Sequence, residues 1–429
     1  MNPQLTTLPN GLRVILIDTK AFPTLTTLLL VGAGSRYENS KNNGIAHFFE
    51  HMAFKGSKKY PDTFVISSTI EGLGGIFNAF TGKDHTGYWI KSTNEHFETV
   101  VDVLSDMVLN SFLRPEEIEK EKGVIVEEIN LYEDTPSRRV GELYEGLIYQ
   151  NSPLGFDIAG SKETVRSFNR DTFVNYMQDL YFPENALLVV AGGLSRIQNS
   201  KFRIKNYLGI IEEKFKDWRG KKTAKFEKFK GSQSKPNILV KYKKTEQAHF
   251  CLGFPTFSFF NPKKYALSIL STILGGGMSS RLFIEVREKR GLCYYISTGR
   301  ELYHDVGNIV TQAGIVNNLE KIREAITITL SEHDKVIKGQ IAKKEITKAK
   351  ELLKGRLLLS MEDSFNVASF FGTKNLLEGK IESPLELIKK IEKVTDDEII
   401  ALAYELFQRD KLNFALIGPF EEKDFQNIF

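Results

Sequence analysis

Cysteine is almost missing from this chain of 429 residues, which holds only Cys251 and Cys293. Neither lies in a CxxC pair, so neither a thiolate zinc site nor a dithiol redox motif is indicated, and free thiols are expected. Long apolar runs are missing too, and nothing approaches the length that spans a bilayer. The opening "MNPQLTTLPNGLRVILIDT" has no basic patch followed by a long apolar stretch, so no secretory signal is expected, and a cytoplasmic location is the default. Charge of one sign is scarce: 58 Lys and Arg against 54 Asp and Glu leave +4, which gives no reason to expect a nucleic-acid partner. Histidine is rare as well, with seven in all, so any clustering carries information. What is present, 41% hydrophobic and 26% charged residues, is a globular composition at a length that implies more than one domain.

The order of elements repeats. Residues 9–34 read as a hairpin of two β-rich runs. Helical patterns follow at 44–56 and 61–74, a strand pattern at 74–92, and amphipathic helices at 95–111 and 115–133. "NALLVVAGGL" reads as a buried strand. After the basic, polar stretch 213–235 the order restarts, ending in a strand at 412–418. "YFPENALLVVAGGL" and "LFQRDKLNFALIGP" close the two halves alike. A repeat of half the chain points to duplicated domains. Helices and strands without strict alternation favour α+β. The expected division is 1–212 as one domain, 213–235 as a linker and 236–429 as a similar second domain.

"GIAHFFEHMAFKG" places His47 and His51 four apart with Glu50 between them. On a helix such residues are neighbours, about 5–6 Å apart at Cβ, so both imidazoles can face one metal ion. Glu50 projects from nearly the same face, suited to exchange a proton with a water held there. Phe48, Phe49, Met52, Ala53 and Phe54 make the helix apolar on most sides, so it is expected to be buried. Buried histidines and a buried glutamate need partners. A catalytic zinc takes three protein ligands and keeps one open position. The third is sought in "PEEIEKEKGVIVEEINLYED", read as a helix with an apolar stripe through Val124, Ile125, Leu131 and Tyr132. Glu121 and Glu128, seven apart, fall on that stripe, and Glu127 lies about 100° away. Glu128 is therefore the expected third ligand and Glu121 an assisting carboxylate. Taken alone, these acids would pass for surface charge.

His47-x-x-Glu50-His51 is the inverted zinc signature. With its surroundings, "GIAHFFEHMAFKGSKKYP", it resembles the pitrilysin or insulinase-type metallopeptidases, nearest to the processing-peptidase β-subunits and their single-chain bacterial relatives. "GGIFNAFTGKDHTGYW" and "LGGGMSSRLFIEVREKRGLCYYIS" extend the resemblance over nearly the whole chain. It implies a pair of similar α+β domains, each a mixed, mostly antiparallel sheet packed with helices. It also implies zinc held by His47, His51 and Glu128, with Glu121 as accessory. Arg287 and Tyr294 match the family's Arg–Tyr pair that contacts the substrate carbonyl. Alone, the first would read as a helix-surface charge and the second as a core aromatic. Asn78 and Ala79 match the edge strand that binds extended peptide by backbone hydrogen bonds. The glycines Gly275–Gly277 lack a P-loop context and read as a break between helices. The implied activity is a zinc endopeptidase acting on peptides inside a chamber of four domains. One chain supplies two domains, so a homodimer is expected, with a heterodimer of related subunits as the alternative. The competing functions are a non-catalytic structural or assembly subunit and a metal-independent peptide-binding module.

Overall fold

The apolar runs of both halves form strands laid out in the same order twice. The computed structural model describes residues 2–195, 204–220 and 225–428. The first sheet comprises β1 (Gln4–Thr7), β2 (Arg13–Asp18), β3 (Thr24–Val31), β4 (Ile76–Thr81), β5 (Thr86–Thr93) and β6 (Ala186–Gly192), in spatial order β1-β2-β6-β3-β5-β4. The second comprises β7 (Asn237–Tyr242), β8 (Gln247–Thr256), β9 (Cys293–Leu302), β10 (Gly307–Val316) and β11 (Asn413–Gly418), in order β7-β11-β8-β10-β9. In each sheet one pair is parallel, β2 with β6 and β7 with β11, and the other pairs are antiparallel. Substituting β7 for β2, β8 for β3, β9 for β4, β10 for β5 and β11 for β6 turns one order into the other, and β1 is an addition. This is the duplicated α+β architecture that the repeat implied. Under that mapping β4 and β9 are equivalent edge strands.

Residues 9–34 do not form the expected hairpin. β2 and β3 flank β6, which pairs with both. All seven residues of β6 are buried, and a strand this apolar is most stable in the middle of a sheet.

The chain divides into two compact units. One is Met1–Ile129, Phe156–Glu227 and Leu358–Ser383; the other is Asn130–Gly155, Lys228–Leu357 and Pro384–Phe429. Neither is a continuous stretch. The helix Ser364–Glu378 packs on β3 and β6 of the first unit, and the helix Pro136–Ile148 packs on β8 and β11 of the second. Part of the stretch expected as a linker, 221–224, lies outside the described residues, as do 196–203 of the expected first domain. The helix Ile204–Phe215 overlaps the start of that linker stretch.

In the first unit both faces of the sheet are covered. Val14, Leu16, Leu29, Leu188 and Val190 join the core that holds Phe48, Phe49 and Met52. The alternating residues Ile15, Ile17, Leu28, Leu30 and Val189 meet Val367, Ala368 and Phe371 on the opposite face. Strands buried on both faces read as nearly continuous apolar runs, which is how β2 and β6 read, and in β3 the buried Thr26 and Thr27 interrupt the run. At Gly372 the helix approaches the sheet closely, and a Cβ there would stand 2.7 Å from Leu30 Cδ1. Among the described residues no helix is long and apolar enough to cross a membrane.

Candidate metal centre and active site

The histidine helix runs Ile45–Met52. It starts at Gly44, whose φ of 98° is left-handed; a Cβ there would also lie 2.7 Å from the Ala159 carbonyl oxygen. The first turn leaves backbone N–H groups without helical partners. Glu38 supplies them: Oε2 accepts from Gly44 N at 2.8 Å and from Asn43 Nδ2 at 2.9 Å, and Oε1 accepts from Ala46 N at 2.8 Å. Glu38 is buried, and burial pushes its carboxyl up to about 7 despite these bonds. The inner face of the helix is aromatic. Phe48 meets Phe173 edge-on at 5.0 Å, and Phe49 meets Tyr181 at 4.9 Å. With that face in the core, His47, Glu50 and His51 occupy the remaining one.

The second contributor is the helix Pro115–Glu133, where Ile118, Glu121 and Ile125 are buried. Glu121 and Glu128 face the histidines and Glu127 is exposed, as the seven-residue spacing implied. The apolar stripe differs from expectation. Val124 and Leu131 are exposed, and Val126 and Ile129 pack against the core instead.

His47 Nε2 lies 3.6 Å and His51 Nε2 lies 3.5 Å from Glu128 Oε2. The donor atoms of these three residues all fall within 4.8 Å of one another. Zinc bonds of about 2.0–2.1 Å at tetrahedral angles would separate donors by roughly 3.3 Å. The carboxylate oxygen lies 3.5–3.6 Å from each imidazole nitrogen, close to that value, and two imidazoles with one carboxylate are a donor set that zinc accepts.

Around this trio the charges are paired. His51 Nδ1 donates to Glu121 Oε1 at 2.9 Å, and Lys55 Nζ donates to Glu121 Oε2 at 2.6 Å. Burial favours the neutral acid at Glu121, but His51 and Lys55 outweigh it and hold the carboxyl below its usual range. Burial likewise disfavours the charged His51 ring, but the carboxylates of Glu121 and Glu128 outweigh it and lift the imidazole to about 9. Glu50 shows the opposite balance. Burial raises its pKa and the charge of Glu128 adds to the rise, against the Thr81 hydrogen bond and the charge of His51. Thr81 Oγ1 donates to Glu50 Oε2 at 2.5 Å.

Glu38, Lys55 and Thr81 were not singled out from sequence. Only Lys55 carried a signal, standing four residues after His51. Asn78 and Ala79 lie on β4, at the edge of the first sheet, with Asn78 exposed. The Ala79 N–H donates to Asn78 Oδ1 at 2.8 Å.

Arg287 and Tyr294 belong to the other unit, where the structure brings them together: Arg287 Cζ lies 5.7 Å from the centre of the Tyr294 ring. Two backbone irregularities accompany them. Arg287 sits in a turn of π-helix, Phe283–Glu288, in which Lys289 N donates to Ile284 O. Tyr294 is the extra residue of a β-bulge. Cys293 pairs with Ile315 and Tyr295 with Gly314, so Tyr294 has no partner across the ladder. Its side chain is 76% exposed on an edge strand, unlike a core aromatic.

A sequence model described as Insulinase (Peptidase family M16) matches residues 13–162, and one described as Peptidase M16 inactive domain matches residues 167–353. A Bacillus subtilis (strain 168) protein named uncharacterized zinc protease YmxG is 36% identical over 96% of this chain and 97% of its own length. A Rickettsia bellii (strain RML369-C) protein named uncharacterized zinc protease is 32% identical over 96% of each chain. Among solved structures, a protease from Helicobacter pylori matches with a TM-score of 0.90 at 22% identity, covering 97% of this chain and 99% of that one. A Pseudomonas fluorescens structure titled as a peptidase M16 inactive domain gives 0.87 at 19% identity, covering 98% of each chain. These two likenesses bear on the fold alone. From the matched sequence models and the full-length relatives, the chain belongs to the insulinase family of peptidases, M16.

Proposed function

We propose that the chain is a zinc-dependent endopeptidase that hydrolyses peptides bound as an extended strand inside a closed chamber. The observation that carries this reading is the convergence of His47 Nε2, His51 Nε2 and Glu128 Oε2 on one point. The names of the relatives as zinc proteases support it.

His47, His51 and Glu128 would hold zinc, which supplies Lewis acidity for hydrolysis at neutral pH. Glu50 takes a proton from the attacking water. Its Oε2 is engaged by Thr81, so Oε1 is the oxygen that accepts the proton and returns it to the leaving amine. Glu121 orients His51 through Nδ1. Arg287 and Tyr294 donate to the carbonyl oxygen of the scissile bond as negative charge develops on it. The free edge of β4, at Asn78 and Ala79, pairs with the substrate backbone.

One chain carries the zinc residues and the Arg–Tyr pair, so two identical copies are proposed to complete the chamber. Light scattering with size exclusion tests this, and a fully active monomer would count against it.

The activity is tested with purified protein, a fluorogenic peptide library and elemental analysis. About one zinc per chain is expected, with cleavage lost on chelation and restored by zinc. Glu50→Gln should keep the metal and lose cleavage by roughly 10²–10⁴-fold. Protein that holds well under one zinc, and is not restored by adding it, points instead to a metal-independent peptide-binding module. Protein that holds zinc but cleaves nothing in the library points to a non-catalytic subunit.

A further inference from the structure

The turn between β4 and β5, Gly82–His85, is fixed by charged groups almost out of reach of solvent. Arg36 Nη1 donates to Asp84 Oδ1 at 2.9 Å, with the two side chains 1% and 8% exposed. Lys83 Nζ donates to Phe156 O at 2.5 Å. The N–H groups of Ser35 and Arg36 donate to the carbonyls of Gly82 and Lys83, each at 3.1 Å. The backbones touch there: a Cβ on Gly34 would stand 2.5 Å from both of those carbonyl oxygens. Desolvation largely cancels the attraction within a buried ion pair, so the pair adds fixed geometry more than net stability.

Thr81 enters this turn, and its hydroxyl reaches Glu50. The helix that carries Glu50 is fixed at its start by Glu38, two residues after Arg36. The single segment Ser35–Glu38 thus anchors both partners of the Thr81–Glu50 hydrogen bond. An unconstrained glutamate would distribute over several rotamers. This one has an oxygen tied to a β-branched residue, itself stiff at χ1, at the end of a strand.

We propose that Thr81 is a positioning residue for Glu50, holding one carboxylate oxygen so that the other faces the attacking water, with the Arg36–Asp84 turn as its rigid base. This rests on the reading of Glu50 as the proton carrier. It also ties the peptide-binding edge strand to the proton-transfer group, because Thr81 is the last residue of β4.

The test compares Thr81→Val, Thr81→Ser and Glu50→Gln in the full-length zinc-loaded protein. Thr81→Val keeps the shape and removes the hydroxyl. Its kcat should fall roughly 10–100-fold, with KM, zinc content and melting temperature unchanged. Thr81→Ser should restore most of the rate. A crystal structure of Thr81→Val should show Glu50 in more than one rotamer with His47 and His51 in place. If Thr81→Val works at the wild-type kcat while Glu50→Gln is inactive, the positioning role is wrong and the proton-carrier reading stands. A Thr81→Ser variant as slow as Thr81→Val would assign the effect to packing and overturn the proposal. Wild-type cleavage by Glu50→Gln would remove the proton-carrier reading and the proposal with it.

Discussion

His51 spans two carboxylates: Nδ1 donates to Glu121 at 2.9 Å, and Nε2 faces Glu128 at 3.5 Å. With the Nδ1 proton held by Glu121, Nε2 is the nitrogen presented toward Glu128 and His47. Glu121 is fixed in turn by Lys55 through its other oxygen, so both of its oxygens are engaged, which supports the proposed role of a brace for the ring.

Removing that brace should therefore loosen the metal without abolishing the site. Glu121→Gln is expected to weaken zinc binding by roughly 10–100-fold, with cleavage recovering in excess zinc. Competition with a zinc-responsive dye measures this. Unchanged zinc affinity would show that the His51–Glu121 bond does not orient the ring.

Neighbouring glutamates should behave differently. Glu128 points at both histidines, and Glu127 is exposed on the same helix. Glu128→Gln is expected to lower zinc content well below one per chain at about micromolar free metal, since a neutral amide is a poor replacement for a carboxylate ligand. Glu127→Gln should keep full zinc content. The reverse result would move the ligand by one position.

The contrast between these glutamates was legible because helical geometry converts a spacing of seven into one face and a spacing of four into one point. The duplication was legible because the strands that close the two halves, β6 and β11, follow a helix end and a polar turn in the same sequence order. Sheet pairing was not: β2 and β3 are joined by a short turn, yet β6, more than 150 residues away, separates them, and no local signal encodes that. The stripe through Val124 and Leu131 failed because hydrophobicity alone cannot tell which flank of a helix meets the core. The placements of Pro136–Ile148 and Ser364–Glu378 were hidden for a similar reason, since an amphipathic face does not name the sheet that covers it. Thr81 and Glu38 were invisible because a strand threonine and a loop glutamate acquire their roles only from long-range contacts.

Tyr294 and Arg287 offer a test that separates binding of metal from handling of substrate. Both lie in the unit that lacks His47, His51 and Glu128. Tyr294→Phe removes a hydroxyl from a ring that is already mostly exposed, so stability should hardly change. Zinc content should stay at the wild-type level while kcat/KM falls on the order of 10²-fold, as when an oxyanion donor is lost. Steady-state kinetics with parallel elemental analysis reads both. Full activity in Tyr294→Phe would leave the bulge at β9 without a catalytic purpose.

Glu38 makes stability depend on pH in a direction opposite to that of a salt-bridged carboxylate. Its folded pKa is raised from 4.5 to about 7, chiefly by burial, so the folded state binds more protons than the unfolded state between those values. The contribution of Glu38 to stability is then greatest in acid and falls as pH rises through the folded pKa, by up to about 3 kcal/mol for a shift of this size. The nearby Lys83 charge and the N–H groups of Gly44 and Ala46 limit the rise without reversing it. Glu38→Gln removes the titration. The amide cannot accept at both N–H groups, so the variant carries a constant penalty, and the pH slope is the informative quantity. Between about pH 5 and pH 8 the melting temperature of the wild type should drop relative to that of Glu38→Gln. Calorimetry across that range measures the difference, and parallel curves would show that Glu38 stays ionised throughout.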